Sequence, residues 1–170
     1  MHKCVTWSIR EINACGTFTV PEDRRVVPLR RQIALRIVVL RARGRPTATD
    51  PVVFLTGGPG FGAADEVSLA ARALVDVRAT RDVVLIDQRG TGQSSPLNCN
   101  LYNDGNRLQP YVGTSYPTKQ LRACRALLEK HADLTRYTTA IAADDLAKHC
   151  PHWGTRASIS SVYPTAVAWH

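Results

Sequence analysis

The sequence predicts an α/β fold in which a mostly parallel sheet is flanked by helices. Two short, almost entirely apolar segments, Val52–Leu55 and residues 82–86, are separated by a segment with apolar side chains at helical spacing. A glycine-rich turn follows the first of them, and a strand–helix–strand connection of this kind joins parallel strands. Strands that are apolar on both faces favour a sheet that is covered on both sides.

Each predicted element follows from the local pattern of side chains. Residues 15–20 and 33–40 are rich in β-branched and other apolar residues, which favours strands, and Pro21 ends the first. Residues 65–77 carry apolar side chains three and four positions apart, which predicts a helix packed on the sheet. With 170 residues, the chain is long enough for one domain with its own core.

The second half of the chain is predicted to be helical. Residues 98–117 are polar and rich in glycine and asparagine, so we interpret them as a loop. Residues 118–131 and 138–147 have apolar side chains at helical spacing. Thr138 or Thr139 is placed to cap the second helix, because a threonine oxygen accepts a hydrogen bond from the first turn.

The charge pattern bears on the class of partner. The formal net charge is +8 at pH 7, and arginine supplies nearly all of the positive charge. The arginines lie singly or in pairs rather than in a stripe, so we expect no nucleic-acid partner. No apolar run is long enough for a transmembrane helix, so we expect no membrane span. Nothing in the composition indicates an oligomeric state.

The N-terminus and the cysteines bear on the compartment. The first fifteen residues lack the apolar region of a signal peptide, so the chain as written is expected in the cytoplasm. Loss of an upstream signal would make it secreted or periplasmic. Five cysteines show neither a CxxC pair nor the spacing of a zinc site, so we expect no metal site. We expect no cofactor either. They are buried thiols, or Cys99 and Cys124 form a disulfide across the intervening loop of an exported protein.

The turn after Leu55 reads T-G-G-P-G. Glycine tolerates the backbone angles of a tight strand-to-helix turn, and such a turn directs backbone N–H groups outward. Those groups can hold the negative oxygen of a tetrahedral intermediate, which makes Gly57 and Gly58 the candidate oxyanion donors. Pro59 and Gly60 complete the loop beside the site. The alternative is a plain Gly-Pro turn, whereas the patterns of phosphate-binding loops do not fit.

The second glycine loop, D-Q-R-G-T-G-Q-S, follows the next apolar strand. Asp87 and Arg89 are predicted to pair and to hold this loop against the first one. Gly90 and Gly92 would allow the two backbones to approach closely. Ser94 lacks the sharp turn of a nucleophilic serine, so we interpret the loop as structural rather than catalytic.

Together the two loops resemble the proline iminopeptidase and tripeptidyl aminopeptidase family of α/β-hydrolases. Members carry HGGPG or a variant of it, then DQRGxGxS at a similar spacing. The segment CGTFTVPED looks like the family's opening motif, and TTAIAADDLA looks like the helix that leads to its nucleophile. The resemblance covers residues 14–147. Thr56 stands where proline iminopeptidases have histidine, which favours the tripeptidyl aminopeptidase branch.

The resemblance implies the N-terminal portion of an α/β-hydrolase fold, incomplete in this chain. Residues 1–13 would be an extension, residues 14–147 a partial domain, and residues 148–170 a tail. The implied activity is a serine peptidase that removes N-terminal residues from peptides, without a cofactor. The alternatives are an esterase, a lipase or an epoxide hydrolase of the same fold, and a non-catalytic fragment.

The sequence contains no G-x-S-x-G motif, and no member of a catalytic triad is identified. We therefore expect the chain alone to be inactive. Codons permitted by residues 153–166, read one base earlier, can spell L-G-Y-A-R-I-N-L-F-G-V-S-Y-G, an apolar strand followed by the missing motif. This predicts a one-base shift between about residue 146 and residue 153, either in the gene or in its sequencing. His170 and the other tail residues would then be accidental.

Overall fold

The computed structural model describes residues 12–26, 28, 31–45, 50–58, 60–99, 101, 117–149 and 158–161. Within these ranges the strands are β1 (Ile12–Pro21), β2 (Gln32–Leu40), β3 (Val52–Leu55), β4 (Val83–Ile86) and β5 (Ser158–Ser161). The α-helices are α1 (Val67–Ala73), α2 (Thr118–Leu128) and α3 (Thr139–His149). Short 3₁₀ turns span Ala63–Glu66, Val77–Ala79 and Leu134–Arg136.

The strands form one mixed sheet in the order β1-β2-β4-β3-β5. β2 runs antiparallel to both β1 and β4, whereas β3 is parallel to β4 and to β5. The prediction of a mostly parallel sheet, as the N-terminal portion of an α/β-hydrolase fold, is therefore wrong. The reason lies in the connection after Pro21, which pairs Val20 with Ile33 in a hairpin, and a hairpin reverses the chain direction. The three helices are also short.

The predicted elements are present with shifted boundaries. The strand at Val52–Leu55 is confirmed as predicted, and β1 begins at Ile12, inside the segment interpreted as an extension. The helix predicted for residues 65–77 is divided into a 3₁₀ turn, α1 and a second 3₁₀ turn. The cap of α3 is Thr138, whose hydroxyl accepts a hydrogen bond of 3.4 Å from the N–H of Ile141.

Successive side chains of a strand point to opposite faces of the sheet, and every residue of β3 and β4 is buried, so these central strands are covered on both faces. On one face, Phe54 and Leu85 pack with Val67 and Ala70, so that α1 covers this face. On the other face, the cluster that contains Val53 and Ile86 is joined by Leu146 of α3. The expected coverage on both sides is therefore confirmed for the central strands.

The sheet has two ends with different loops. β1, β3, β4 and β5 run in the same direction, because β2 is antiparallel to β1 and β4, and β3 is parallel to β4 and β5. Pro21, Leu55, Ile86 and Ser161 consequently end their strands on the same side of the sheet. We call this side the glycine-loop end, and we call the side where β2 ends the opposite end.

Candidate functional site

The first glycine loop leaves β3 at the glycine-loop end. Gly58 has φ 142° and Gly60 has φ 93°, conformations that a residue with a side chain rarely adopts. A Cβ on Gly58 would also run into the ring of Phe61, a side chain that is 64% exposed. The loop geometry thus depends on glycine at two positions. Pro59 lies outside the described residues.

Gly57 and Gly58, the predicted oxyanion donors, follow the end of β3 after one intervening residue, Thr56. Within the described ranges, neither N–H group is bonded to a protein acceptor. Both groups therefore stay candidate donors to a bound oxygen. Gly57 is half-buried and Gly58 is exposed, so the position is open to a ligand from solvent.

Asp87 holds the two glycine loops together. Its side chain is 0% exposed; Oδ1 accepts a hydrogen bond of 2.8 Å from Ala64 N–H, and Oδ2 accepts one of 3.0 Å from Gln93 N–H. A Cβ on Gly62 would lie 2.7 Å from the Asp87 carboxylate and 2.8 Å from the Cα of Gly92. The two backbones are therefore in contact at Gly62 and Gly92, and the Asp87 carboxylate lies against both residues. Both positions require glycine for this reason.

The environment of Asp87 differs from the predicted one. Burial raises the pKa of this carboxyl, while the Gln93 and Ala64 amides and the Arg36 guanidinium, 3.8 Å away, act to lower it. The predicted pair of Asp87 with Arg89 is wrong. Arg89 turns to other partners, and backbone amides take its place at the carboxylate because they are nearer in the folded loops.

Arg89 anchors the second loop to α3. Its Nε and Nη2 donate to the Asp145 carboxylate at 2.6 and 2.9 Å, and both side chains are at most 2% exposed. Its Nη1 donates to the carbonyl oxygens of Glu22 and Arg136 at 3.0 and 2.8 Å. Arg24 also pairs with Asp145. One buried guanidinium therefore connects β4, the turn after β1, and α3.

Glu22 also joins several segments at this end, and we call Glu22 with its partners Asp133, Tyr137 and Arg31 the Glu22 hub. Its Oε1 accepts hydrogen bonds from Asp133 N–H at 3.0 Å and from the Tyr137 hydroxyl at 3.1 Å. Its Oε2 pairs with Arg31 at 2.9 Å. Burial, together with the negative charge of Glu22, raises the pKa of Tyr137 to about 12. The Tyr137 ring also lies under Arg89, 5.9 Å from the guanidinium carbon.

Ser94 and Gly90 have structural roles in the second loop. Ser94 is 0% exposed, and its hydroxyl accepts a hydrogen bond of 2.8 Å from the N–H of Arg36 on β2. Gly90 has φ 79°, and a Cβ there would lie 2.8 Å from the ring of Tyr137. These contacts fix the loop on the sheet.

Sequence reasoning missed Glu22, Tyr137 and Asp145. Glu22 and Asp145 lie in segments that carry the family resemblance, but no local pattern assigns partners to them. The contacts of Glu22 with Asp133 and Tyr137 join positions more than 110 residues apart. The acids and arginines that form this network resemble surface residues in the sequence, so only the fold reveals their burial.

A disulfide joins Cys99 to Cys124, with the two Cα atoms 5.8 Å apart. It ties the segment after the second glycine loop to α2, a helix in which no side chain is buried. Cys15 is disulfide-bonded as well. Of the two interpretations left open by the sequence, the structure has the disulfide at these positions.

An open groove of about 650 Å³ lies beside the Glu22 hub. It is lined by Arg31, Arg125, Glu129, Ala132, Asp133, Leu134 and Thr135. Its arginines are paired with nearby carboxylates: Arg125 pairs with Glu129 at 2.7 Å, and Arg31 pairs with Glu22.

Among the residues that the structure describes, no three acidic, histidine or cysteine side chains are grouped to hold a metal. In the same ranges, no helix has the length and apolar character needed to cross a bilayer. The expected tail, apart from Lys148, His149 and β5, lies outside the described residues, including His170.

Comparison with known proteins gives no match, either to a protein-family model or to a curated protein. The family resemblance therefore rests on the sequence motifs alone.

Proposed function

We propose that this chain is the N-terminal part of a serine peptidase related to proline iminopeptidases and tripeptidyl aminopeptidases, and that it supplies the oxyanion loop. The observation that carries the proposal is the contact between the two motif loops at the glycine-loop end, with Asp87 between them. Two segments of unusual composition, about thirty residues apart, lie together next to two glycine N–H groups that have no acceptor among the described residues. The proposal does not depend on a mostly parallel sheet.

The proposed role of the first glycine loop is to stabilise a negatively charged oxygen. When a serine attacks a peptide carbonyl, the carbonyl oxygen becomes negatively charged, and preorganised N–H groups stabilise that charge. Gly57 or Gly58 would supply one donor, and the residue after the serine the other. The substrate is a peptide with a free N-terminus, as the resemblance implies.

The position of β5 supports the proposal further. β5 lies beside β3 and parallel to it, with Val52 opposite Ser158 and Leu55 opposite Ser161. The chain therefore leaves β5 at the glycine-loop end. In the shifted frame, the codons of residues 158–161 overlap those of I-N-L-F, and residues 162–166 those of G-V-S-Y-G. The apolar strand of the shifted frame would thus take the place of β5, and its serine would follow the end of that strand.

In the frame as written, we propose that the chain is inactive. An oxyanion loop without nucleophile, base and acid retains only a small part of the rate. Incubation with aminoacyl- and prolyl-naphthylamides should give no turnover above background, and turnover that a serine-directed inhibitor abolishes would contradict this.

The decisive test begins with the nucleotide sequence and continues with a gene corrected by one base. The corrected protein should hydrolyse aminoacyl-naphthylamides, and a variant that lacks the serine of G-V-S-Y-G is its matched control. Hydrolysis of esters or epoxides but not amides would favour an esterase, a lipase or an epoxide hydrolase. If no one-base shift yields the motif and a long downstream frame, the frameshift proposal is wrong.

A further inference from the structure

The two oxygens of the Asp87 carboxylate serve different loops. Oδ1 accepts from Ala64, which follows the first glycine loop, and Oδ2 accepts from Gln93 in the second. Loss of this carboxylate would therefore uncouple the loops instead of weakening one of them. Gly62 and Gly92 admit no side chain at the crossing, so a neighbouring side chain could not take over the contact.

The first loop is fixed at two points. At one point β3 ends at Leu55, and at the other Ala64 N–H is bonded to Asp87. Gly57 and Gly58 lie between these points, and glycine has the largest conformational freedom of any residue. If the second point is released, the directions of the two N–H groups are no longer determined by the fold.

The charged groups around Asp87 do not replace the amides. From β2, Arg36 faces it at 3.8 Å, but the same Nη1 is 2.8 Å from Asp65 Oδ1. From the 3₁₀ turn Ala63–Glu66, Asp65 faces it with a like charge. The hydrogen bonds to Ala64 and Gln93 are therefore the close contacts of the carboxylate.

We propose that Asp87 is a positioning residue, which sets the directions of the Gly57 and Gly58 N–H groups by clamping the first glycine loop onto the second. This inference rests on the proposed function for its catalytic meaning, whereas the clamp itself can be tested in the chain as written.

The test compares Asp87→Asn with Asp82→Asn by ¹⁵N relaxation of the full chain. Asparagine keeps the shape but has a single acceptor oxygen, so it can bond one of the two amides. Asp82 is a matched control, because it lies before β4 at the opposite end and accepts a hydrogen bond of 2.8 Å from Ala42 N–H. We expect the order parameters of Gly57 and Gly58 to fall from about 0.85 to below about 0.6 in Asp87→Asn, and to stay unchanged in Asp82→Asn.

A titration of the unmodified chain gives the same information without a substitution. The amide resonances of Ala64, Gln93, Gly57 and Gly58 should shift with one common midpoint, above the value of about 3.9 for a free aspartate. In Asp65→Asn the four amides should still share one midpoint, which should lie lower because the like charge that helps to raise the pKa of Asp87 is gone. Order parameters of Gly57 and Gly58 that are low in the unmodified chain, or unaltered in Asp87→Asn, would overturn the proposal. Glycine amides that do not titrate with Ala64 and Gln93 would also overturn it.

Kinetics of the frame-corrected protein separate this inference from the proposed function. Loss of an oxyanion donor's alignment should lower kcat by at least about tenfold in Asp87→Asn with little change in KM, because the interaction is made in the transition state. Equal kcat values would overturn the catalytic role of the clamp. A corrected protein that has no activity even with Asp87 in place would contradict the proposed function, while the relaxation data would still decide whether the clamp exists.

Discussion

The two ends of the sheet use the same residue types in different ways. At the opposite end, Arg41 pairs with Asp82 at 2.6 Å, but the arginine side chain is 54% exposed and the aspartate 24%. At the glycine-loop end, Arg89 pairs with Asp145 at the same distance, and the exposures are 1% and 2%. The pairs therefore differ in burial and not in length.

Burial decides what each pair contributes. Exposed ion pairs are screened by water and contribute at most about 1 kcal/mol. A buried charge, in contrast, requires its partner, because loss of the partner leaves a charge that water cannot reach. The Arg89–Asp145 pair is thus an interaction that tolerates little change, and the Arg41–Asp82 pair is not.

The largest effect is expected for the buried carboxylate of α3. Asp145→Ala should lower the free energy of unfolding by about 4 kcal/mol, because Arg89 would stay buried without its carboxylate. Asp82→Ala, the matched change at the opposite end, should lower it by about 1 kcal/mol. Urea unfolding followed by circular dichroism measures both values. Similar losses in the two variants would show that the ends do not differ as the burial indicates.

The next largest effect is expected for the disulfide between Cys99 and Cys124, which joins the segment after the second glycine loop to α2. The disulfide closes a loop with a sequence separation of 25 residues, and such closure stabilises by about 3 kcal/mol through the unfolded chain. The double variant Cys99→Ser, Cys124→Ser should lose this amount in urea unfolding without reductant, where the disulfide of Cys15 is retained. A loss below about 1 kcal/mol would contradict this contribution of the disulfide.

A smaller effect is expected from alanine substitutions in the glycine loops. Two of them compare the stability cost of backbone strain alone with that of strain plus close approach. Gly60→Ala introduces a side chain at φ 93° with no atom within 4 Å, so strain of about 1 to 2 kcal/mol is expected. Gly92→Ala adds the same kind of strain at φ 51° and places its Cβ 2.7 Å from the Cα of Gly62. We expect this overlap to cost roughly 2 kcal/mol more. Equal losses would show that the two loops do not need to touch.

Strands β2, β3 and β4 were predictable because their side chains are mostly apolar. Val52–Leu55 is buried throughout, and a short apolar run between polar segments has few other places in a fold. The direction of β2 was not predictable in this way. An apolar strand has the same composition whether it runs parallel or antiparallel, and the hairpin that reverses the chain depends on the pairing of Val20 with Ile33.

The glycine positions of the site were largely predictable from the sequence, whereas the partners of its charged side chains were not. Gly62 escaped notice, whereas Gly90 and Gly92 were expected to allow close approach of the two backbones. Gly92 does so, since a Cβ there would lie 2.7 Å from the Cα of Gly62, but Gly90 faces the ring of Tyr137 instead. The partners of Asp87 and Arg89 were misassigned, because two residues close in sequence were expected to pair. In the fold, Arg89 reaches Asp145, 56 residues away, and backbone amides surround Asp87.

The smallest expected effect is the pH dependence of the hub at the glycine-loop end. The pKa of Tyr137 is raised to about 12 in the folded chain, mainly by burial, and it is about 10 in an unfolded one. A raised pKa means that folding favours the neutral phenol, so the stabilisation is complete below pH 10. It is lost as the pH rises from about 10 to about 12.

Because Tyr137 is partly exposed, solvent screening should reduce this loss to roughly 1 kcal/mol or less. The measurement is the difference in unfolding free energy between the unmodified chain and Tyr137→Phe, at pH 9 and at pH 11. Phenylalanine cannot ionise, so the difference isolates one phenol from the other groups that titrate in this range. A difference that is the same at both pH values would mean that Glu22 and burial do not hold the phenol neutral. The hub would then resemble the exposed pairs of the opposite end.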